Sequence, residues 1–265
     1  MKSAIAIAAH PDDIEFQMAV TWLLLKQAGW ETHYLNLSTG NCGSAEFSPA
    51  KTRAVRRKEA QAAARVLGAH WHAPICDDLE ILYEVRRLRQ VSAVIRETKA
   101  SIVLTHSPQD YMEDHTNTCR LAVTAAFTHG MPNFRSVPAR AVYHGDVTVY
   151  HAMPHGLRDG LRRRIIPGAF VDTTAVQATK LAALACHQSQ QGWLDLSQGL
   201  NSYLQTMEDQ SRELGRMSRQ FTHAEGWRRH SHLGFCAENA DPLREALGAA
   251  FRVNSAYEKG LEAER

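Results

Sequence analysis

The sequence predicts an α/β fold: a mainly parallel sheet with helices on both faces, and a smaller irregular C-terminal part. In the first half of the 265-residue chain, short apolar runs alternate with longer segments of helical periodicity. This alternation is typical of strands joined by crossover helices. The length suits one such unit. We therefore expect a single domain over residues 1–265, with a core over 1–150 and a substrate-shaping part over 151–265.

Each element is predicted from its local residues. Ser3–Ala9 combines small and branched apolar residues, as a buried strand does. Pro11 suits the first turn of a helix, because its missing N–H would have no partner there. The other predicted strands are Thr32–Leu37, His70–Ile75, Ala100–Thr105, Ala141–Tyr150 and Phe170–Thr173. The predicted helices are Ile14–Gln27, Pro49–Leu67, Tyr83–Thr98, His115–His129, Ala175–Cys186, Asn201–Arg219 and Leu243–Glu264.

Composition excludes several classes of protein. Thirty basic and 28 acidic residues leave a formal net charge of +2, which argues against a nucleic-acid partner. No apolar run approaches the roughly 18 residues of a membrane span. No export signal is visible, so we expect a cytoplasmic protein. The five cysteines are widely spaced and form neither a disulfide framework nor a CxxC metal pattern.

The strongest chemical signal follows the first predicted strand, where His10, Asp12, Asp13 and Glu15 lie within six residues. In open α/β sheets, ligands bind beyond the carboxyl ends of the strands. A structural turn uses one such carboxylate as a helix cap, but it does not require two carboxylates beside a histidine. The cluster therefore indicates a functional site.

A catalytic zinc ion takes three nitrogen or oxygen ligands and keeps a fourth position open. His10 and Asp13 can supply two ligands. We assign the third to His115, which follows the loop after the predicted strand Ala100–Thr105. Asp114 can then orient a ligand histidine from outside the coordination shell, and Asp12 is free to act as general base. The same ligand set accepts Fe²⁺.

These motifs resemble those of the LmbE-like, or PIG-L, deacetylases. The resemblance rests on His10-Pro11-Asp12-Asp13 and, about a hundred residues later, the Asp114-His115 pair. Weaker similarities lie in Leu35–Gly43, Arg56–Gly68, Lys180–Gln190 and Ala237-Glu238. The resemblance implies a Rossmann-like fold and zinc-dependent removal of N-acetyl groups from amino sugars. It also implies zinc at His10, Asp13 and His115, with Asp12 as the base.

One departure from the family pattern concerns the second motif. Many members have His-Pro-Asp-His, whose first histidine assists as an acid or stabilises the oxyanion, whereas this chain has Met112-Glu113-Asp114-His115. Methionine cannot donate a proton. We predict that Tyr111 hydrogen-bonds the developing oxyanion instead. The alternatives for this donor are Asp110, His106, His144 and His151.

Arg56, Asp78 and Asp110 are the predicted substrate-binding residues, although Arg56 also fits a solvated helix face and Asp78 an ordinary polar loop. The expected substrate is a small N-acylated amino sugar or glycoside. Two other functions stay open: an amidase acting on a thiol- or antibiotic-linked N-acyl sugar, and a sugar-binding protein that has lost turnover. A homo-oligomer is also left open.

Overall fold

The computed structural model describes residues 2–198 and 203–263, except for the side chains of residues 195–198. The strands are β1 Ser3–Ala8, β2 Glu31–Asn36, β3 His70–His72, β4 Ile102–Thr105, β5 Thr148–Ala152, β6 Ala169–Asp172, β7 Ala224–Arg229 and β8 Phe251–Val253. The helices are α1 Asp13–Gln17, α2 Ala19–Gln27, α3 Pro49–Val66, α4 Val85–Thr98, α5 Glu113–Phe127, α6 Gln177–Leu184, α7 Gln188–Gln198, α8 Tyr203–Ser218, α9 Pro242–Leu247 and α10 Ser255–Ala263.

The strands form one sheet of eight, in the order β3-β2-β1-β4-β5-β7-β6-β8. Strands β1 to β5 pair in parallel, so their carboxyl ends meet at one edge. The predicted α/β class is confirmed. The C-terminal part is more regular than predicted, because β6, β7 and β8 continue the same sheet in antiparallel pairing.

Alternation along β1 builds a core on each face of the sheet. Ala4, Ala6 and Ala8 pack with Trp22 in one apolar cluster, while Ile5 and Ile7 pack in the other. Successive strand residues point to opposite faces, and both faces are covered by helices. This double burial explains why the strand is apolar throughout.

Four predicted elements differ from the structure. The predicted strand Ala141–Tyr150 begins only at Thr148 and continues to Ala152, and the predicted strand His70–Ile75 ends at His72. The predicted helix Ile14–Gln27 is interrupted at Met18, whose φ of −133° separates α1 from α2. The predicted helix Leu243–Glu264 is divided into α9, β8 and α10, and Glu264 lies outside the described residues. The predicted helix Asn201–Arg219 corresponds to α8; its first two positions are also outside the described residues.

Strand β7 is absent from the predictions, because its sequence Ala-Glu-Gly-Trp-Arg-Arg has no apolar alternation. Glu225 nevertheless lies fully buried in this strand. Its carboxylate accepts hydrogen bonds from the backbone N–H groups of Val20 and Thr21 and from the ammonium of Lys180 at 2.8–3.0 Å. A buried carboxylate needs such partners, and they become visible only in the folded chain.

None of the helices within residues 2–198 and 203–263 combines the length and the apolar character of a membrane span.

Candidate active site

A cleft of about 250 Å³ opens at the carboxyl edge of the parallel strands. Its lining includes the turn after β1, the loop between β4 and α5, the turn after β5, and helices α7 and α8. The lining side chains include His10, Asp12, Asp13, Phe16, Arg56, Asp78, Tyr111, Met112, His115, His155, Gln190, Trp193 and Tyr203.

His10 and His115 each have one ring nitrogen held by a carboxylate. Nε2 of His10 lies 3.1 Å from Asp114, and Nδ1 of His115 lies 3.1 Å from Asp110. Each ring therefore turns its other nitrogen toward Asp13, at 3.3 Å for His10 and 3.4 Å for His115. Carboxylates that hold ligand histidines in this way are a recurrent feature of metal sites, because they fix the tautomer and the ring orientation.

The three residues fit a divalent ion. One ligand atom from each of His10, Asp13 and His115 lies within 4.8 Å of the others. Nε2 of His115 is buried and has no hydrogen-bond partner among the described residues. An unpaired buried nitrogen is costly, and coordination to a metal would remove that cost. The set of two imidazoles and one carboxylate is a known zinc donor set.

A second group of potential ligands, His106, Asp110 and His115, lies deeper in the protein. His106 is fully buried, its Nε2 accepts the backbone N–H of Ala9 at 2.9 Å, and its ring stacks on His115 at 4.1 Å. Its Nδ1 is buried without a hydrogen-bond partner among the described residues, but neither His106 nor Asp110 lines the cleft. A metal held by this deeper group would not face a substrate, so the cleft-facing set is the better candidate.

The neighbouring carboxylates Asp12 and Asp13 have opposite environments. Burial raises the pKa of Asp12, and Arg56 opposes this shift only in part. Burial also acts on Asp13, but the surrounding histidines, with His115 contributing most, hold the pKa of Asp13 well below its usual range. Divergent environments of this kind separate a proton acceptor from a permanently charged ligand.

Asp12 is held in an uncommon backbone conformation. Its φ is 109° and ψ is −27°, in a region that non-glycine residues seldom occupy. Arg56 secures this turn by donating to the carbonyl of Pro11 and to the amide oxygen of Gln190, with its guanidinium 3.5 Å from the Asp12 carboxylate. The hydroxyl of Tyr203 in α8 donates to the other oxygen of Asp12 at 2.6 Å.

The three predicted substrate-binding residues all bond to the protein itself. Arg56 lines the cleft but is only 2% exposed and holds the Asp12 turn. Asp78 also lines the cleft, and its carboxylate accepts the N–H groups of Gly40 and Cys42 at 2.8 and 2.9 Å. The side chain of Asp110 is fully buried against His115, so its position does not support the predicted substrate contact. These contacts indicate that Arg56 and Asp110 position other residues.

Tyr111 and Met112 both line the cleft, and the Tyr111 ring is 46% exposed. Tyr111 lies edge-on to His115 at 5.7 Å between ring centroids. Asp114, predicted to orient a ligand histidine, contacts His10 as described and also accepts the N–H of Leu79 at 2.8 Å. The structure thus brings all six predicted metal and catalytic residues to one place.

Four polar or aromatic cleft residues from the second half of the chain were not predicted: His155, Gln190, Trp193 and Tyr203. Gln190 lies in the segment Lys180–Gln190 that carries the weaker family similarity, which was the only available signal for it. No motif marks the other three. They come from parts of the chain distant in sequence from the first motif, and only folding brings them to the cleft.

Part of the chain matches a known protein family. Residues 5–126 match the PIG-L family, described as GlcNAc-PI de-N-acetylase. The predicted family resemblance is confirmed. The matched segment contains His10, Asp12, Asp13 and His115. It ends before β5, so the strands and helices that supply His155, Gln190 and Tyr203 lie outside the match.

Two characterised relatives with different reactions are similar to the chain. A 4-oxalmesaconate hydratase from Pseudomonas putida is 29% identical over 198 residues, 72% of this chain and 74% of the relative. A diacetylchitobiose deacetylase from Thermococcus kodakarensis is 29% identical over 197 residues, 72% of this chain and 70% of the relative. These identities are equal, so similarity alone does not choose between hydration and deacetylation.

A solved structure extends the similarity to the fold. The 4-carboxy-2-hydroxymuconate hydratase from Pseudomonas putida superposes with a TM-score of 0.73 at 26% identity. The alignment covers 86% of this chain and 96% of that one. The similarity of fold therefore extends beyond the segment that matches the family.

Proposed function

We propose that the protein is a zinc-dependent hydrolase that removes an N-acetyl or other N-acyl group from an amino sugar. The observation that carries this proposal is the pairing of a metal-donor set with a separate carboxylate in one cleft. Asp12 lines the same cleft as His10, Asp13 and His115, yet it lies outside their donor group and accepts a hydrogen bond from Tyr203. A binding protein has no use for a second oriented carboxylate at this point.

In this proposal Asp12 handles the proton. A divalent ion held by His10, Asp13 and His115 would supply Lewis-acid polarisation of the acyl carbonyl. Asp12 accepts a proton as water oxygen bonds to the acyl carbon. It returns that proton to the amide nitrogen as the C–N bond breaks, which yields acetate and an amine. One residue thus serves as base and then as acid, and this needs no histidine at position 112.

Tyr111 is the proposed donor to the oxyanion. Its ring lies beside His115 on the cleft wall, and burial raises the pKa of its hydroxyl, so that the hydroxyl keeps its proton at neutral pH. Preorganised donors of this kind stabilise charge that develops in the transition state. Tyr203 and Arg56 act on Asp12 and not on the substrate: they hold its carboxylate in one orientation.

Hydration of an unsaturated acid is the second candidate function, favoured by the hydratase relative and by the absence of a histidine at position 112. The charges of the cleft favour deacetylation. Arg56 is the only lysine or arginine among the described lining residues, and it is already bonded to Pro11 and Gln190. A substrate that carries several carboxylates needs free cations, whereas a neutral N-acyl sugar does not.

The experiment is a direct comparison of the two reactions. Zinc-loaded protein is incubated with N-acetylglucosamine, N,N′-diacetylchitobiose and, separately, 4-oxalmesaconate. We expect equal amounts of acetate and primary amine from at least one sugar, and no loss of 4-oxalmesaconate. Hydration of 4-oxalmesaconate without release of acetate from any sugar would replace the proposal with the second candidate.

A further inference from the structure

The turn that follows β5 brings a histidine into the cleft from outside the matched family segment. His155 opens the short turn His155–Leu157 and lines the cleft together with Asp12, Asp13 and His115. The turn is fixed by hydrogen bonds from the N–H of Leu157 to the carbonyl of Pro154 at 3.0 Å, and from the N–H of Gly156 to Gln210 at 2.9 Å.

The ring of His155 is packed between two aromatic side chains. Its centroid lies 5.0 Å from that of Phe16 and 6.2 Å from that of Tyr111. Neither ring nitrogen has a hydrogen-bond partner in the part of the chain that the structure describes, residues 2–198 and 203–263. The imidazole is therefore fixed in place, but its polar atoms remain available to a molecule in the cleft.

The other histidines considered for this role do not fit it. His106 is fully buried and bonded to Ala9. His151 is buried, with its ring nitrogens close to the carbonyl of His106 and to His230. His144 is exposed and does not line the cleft. Of these histidines and His155, only His155 lines the cleft beside Tyr111.

Burial lowers the pKa of His155 below its usual 6.5. The imidazole is consequently neutral at neutral pH and carries a single N–H donor. A neutral imidazole can stabilise an oxyanion by hydrogen bonding without transferring its own proton.

Resting on the proposed function, we infer that His155 donates its N–H to the developing oxyanion and works as a pair with Tyr111. It does so in place of the histidine that position 112 lacks. Met112 lines the same cleft, so both positions reach the same substrate. In this proposal the turn after β5 supplies the imidazole donor that the loop after β4 supplies in many family members.

The test compares His155→Phe, which removes the donor and keeps an aromatic ring, with His155→Gln, which retains an N–H. Loss of one oxyanion donor costs about 10²–10³-fold in kcat. We expect that loss for His155→Phe on N-acetylglucosamine, with KM changed less than about threefold, since the contact forms in the transition state. His155→Gln should keep at least about ten times the kcat of His155→Phe.

The matched control is His144→Phe, which should keep wild-type kcat because His144 lies outside the cleft. Adding Met112→His to the His155→Phe protein should recover at least about tenfold in kcat, since it returns an imidazole to the same cleft. Zinc content and melting temperature are measured for every variant.

Two results would overturn the inference: a His155→Phe protein with kcat within about threefold of wild type, or a His155→Gln protein no faster than His155→Phe at full zinc content. A wild-type protein that releases no acetate contradicts the proposed function itself, and the His155 role falls with it. The two failures are therefore distinguishable.

Discussion

The two halves of the sheet contribute different things to the cleft. The parallel half, β1 to β4 with α5, supplies the whole candidate metal set and the proposed base within two short motifs. The part of the chain from β5 onward supplies His155, Gln190 and Tyr203, each from a different element: the turn after β5, α7 and α8. Metal ligands have to converge within a few ångströms, which favours clustered motifs. Residues that orient a base or contact a substrate can come from any element that reaches the cleft.

The largest expected effect tests the parallel half. His115→Ala removes a ligand whose Nε2 lies 3.4 Å from Asp13, so we expect zinc content near zero and loss of detectable deacetylation. Metal analysis after dialysis, together with the acetate assay, measures both. The exposed His144→Ala variant is the control. Equal zinc content in His115→Ala and wild type would show that His115 is not a ligand.

Asp12→Asn separates the base from the metal set. Asp12 lies outside the donor group, so the variant should keep its zinc, while kcat should fall by about 10²–10⁴-fold, the usual contribution of a general base. Asp13→Ala is the matched comparison and should lose zinc. An Asp12→Asn protein that turns over near the wild-type rate with zinc bound would refute the proposed base.

Tyr111→Phe and Met112→Ala compare neighbouring residues of one loop. The tyrosine offers a hydroxyl donor, so its loss should cost about 2.7–4 kcal/mol in transition-state stabilisation. Methionine contributes packing alone, and Met112→Ala should cost less. The ratio of kcat/KM for the two variants on one N-acetyl sugar measures the difference. A larger loss for Met112→Ala would mean that the thioether shapes the site directly.

Tyr203→Phe tests the part of the chain from β5 onward. Tyr203 is 3% exposed, and the substitution removes only the hydroxyl that donates to Asp12. A hydrogen bond to a charged group contributes about 1.5–3 kcal/mol, which corresponds to about 10–100-fold in kcat. Zinc content should not change. In an Asp12→Asn background the same substitution should have little further effect, because both residues act through one carboxylate. Fully additive losses would contradict this coupling.

The last expected effect is on stability and not on catalysis. Burial and the neighbouring His72 lower the pKa of His33 from 6.5 to about 4. Between these values the unfolded chain binds a proton that folded His33 does not. Stability should therefore fall as pH decreases from 6.5 to 4, by at most about 1.4 kcal/mol per pH unit. His33→Asn should flatten this dependence in thermal melts, and the exposed His144→Asn should not. If the melting temperatures of His33→Asn and His144→Asn changed equally with pH, the assigned role of His33 would be wrong.

The elements whose pattern is local were predicted well. Strand β1, helix α3 and helix α4 lie within two residues of their predicted bounds, because apolar periodicity and Pro or Gly boundaries are encoded in neighbouring residues. The break at Met18 and the strands β7 and β8 were not predicted. Glu225 shows the reason: a buried carboxylate in a strand is stable only because Lys180 and the start of α2 meet it in the folded protein.

The residues of the candidate site also fall into those that the sequence predicted and those that only the folded structure revealed. The sequence by itself predicted the candidate metal donors and the proposed base, since His10, Asp12, Asp13 and His115 lie in motifs that a structural turn does not need. Only the tertiary structure decided that Arg56 and Asp110 bond to the protein, that Tyr203 holds Asp12, and that His155 lines the cleft beside Tyr111. The physical reason is distance along the chain. Asp12 and Tyr203 are 191 residues apart, and their 2.6 Å hydrogen bond exists only once the sheet and its helices have packed.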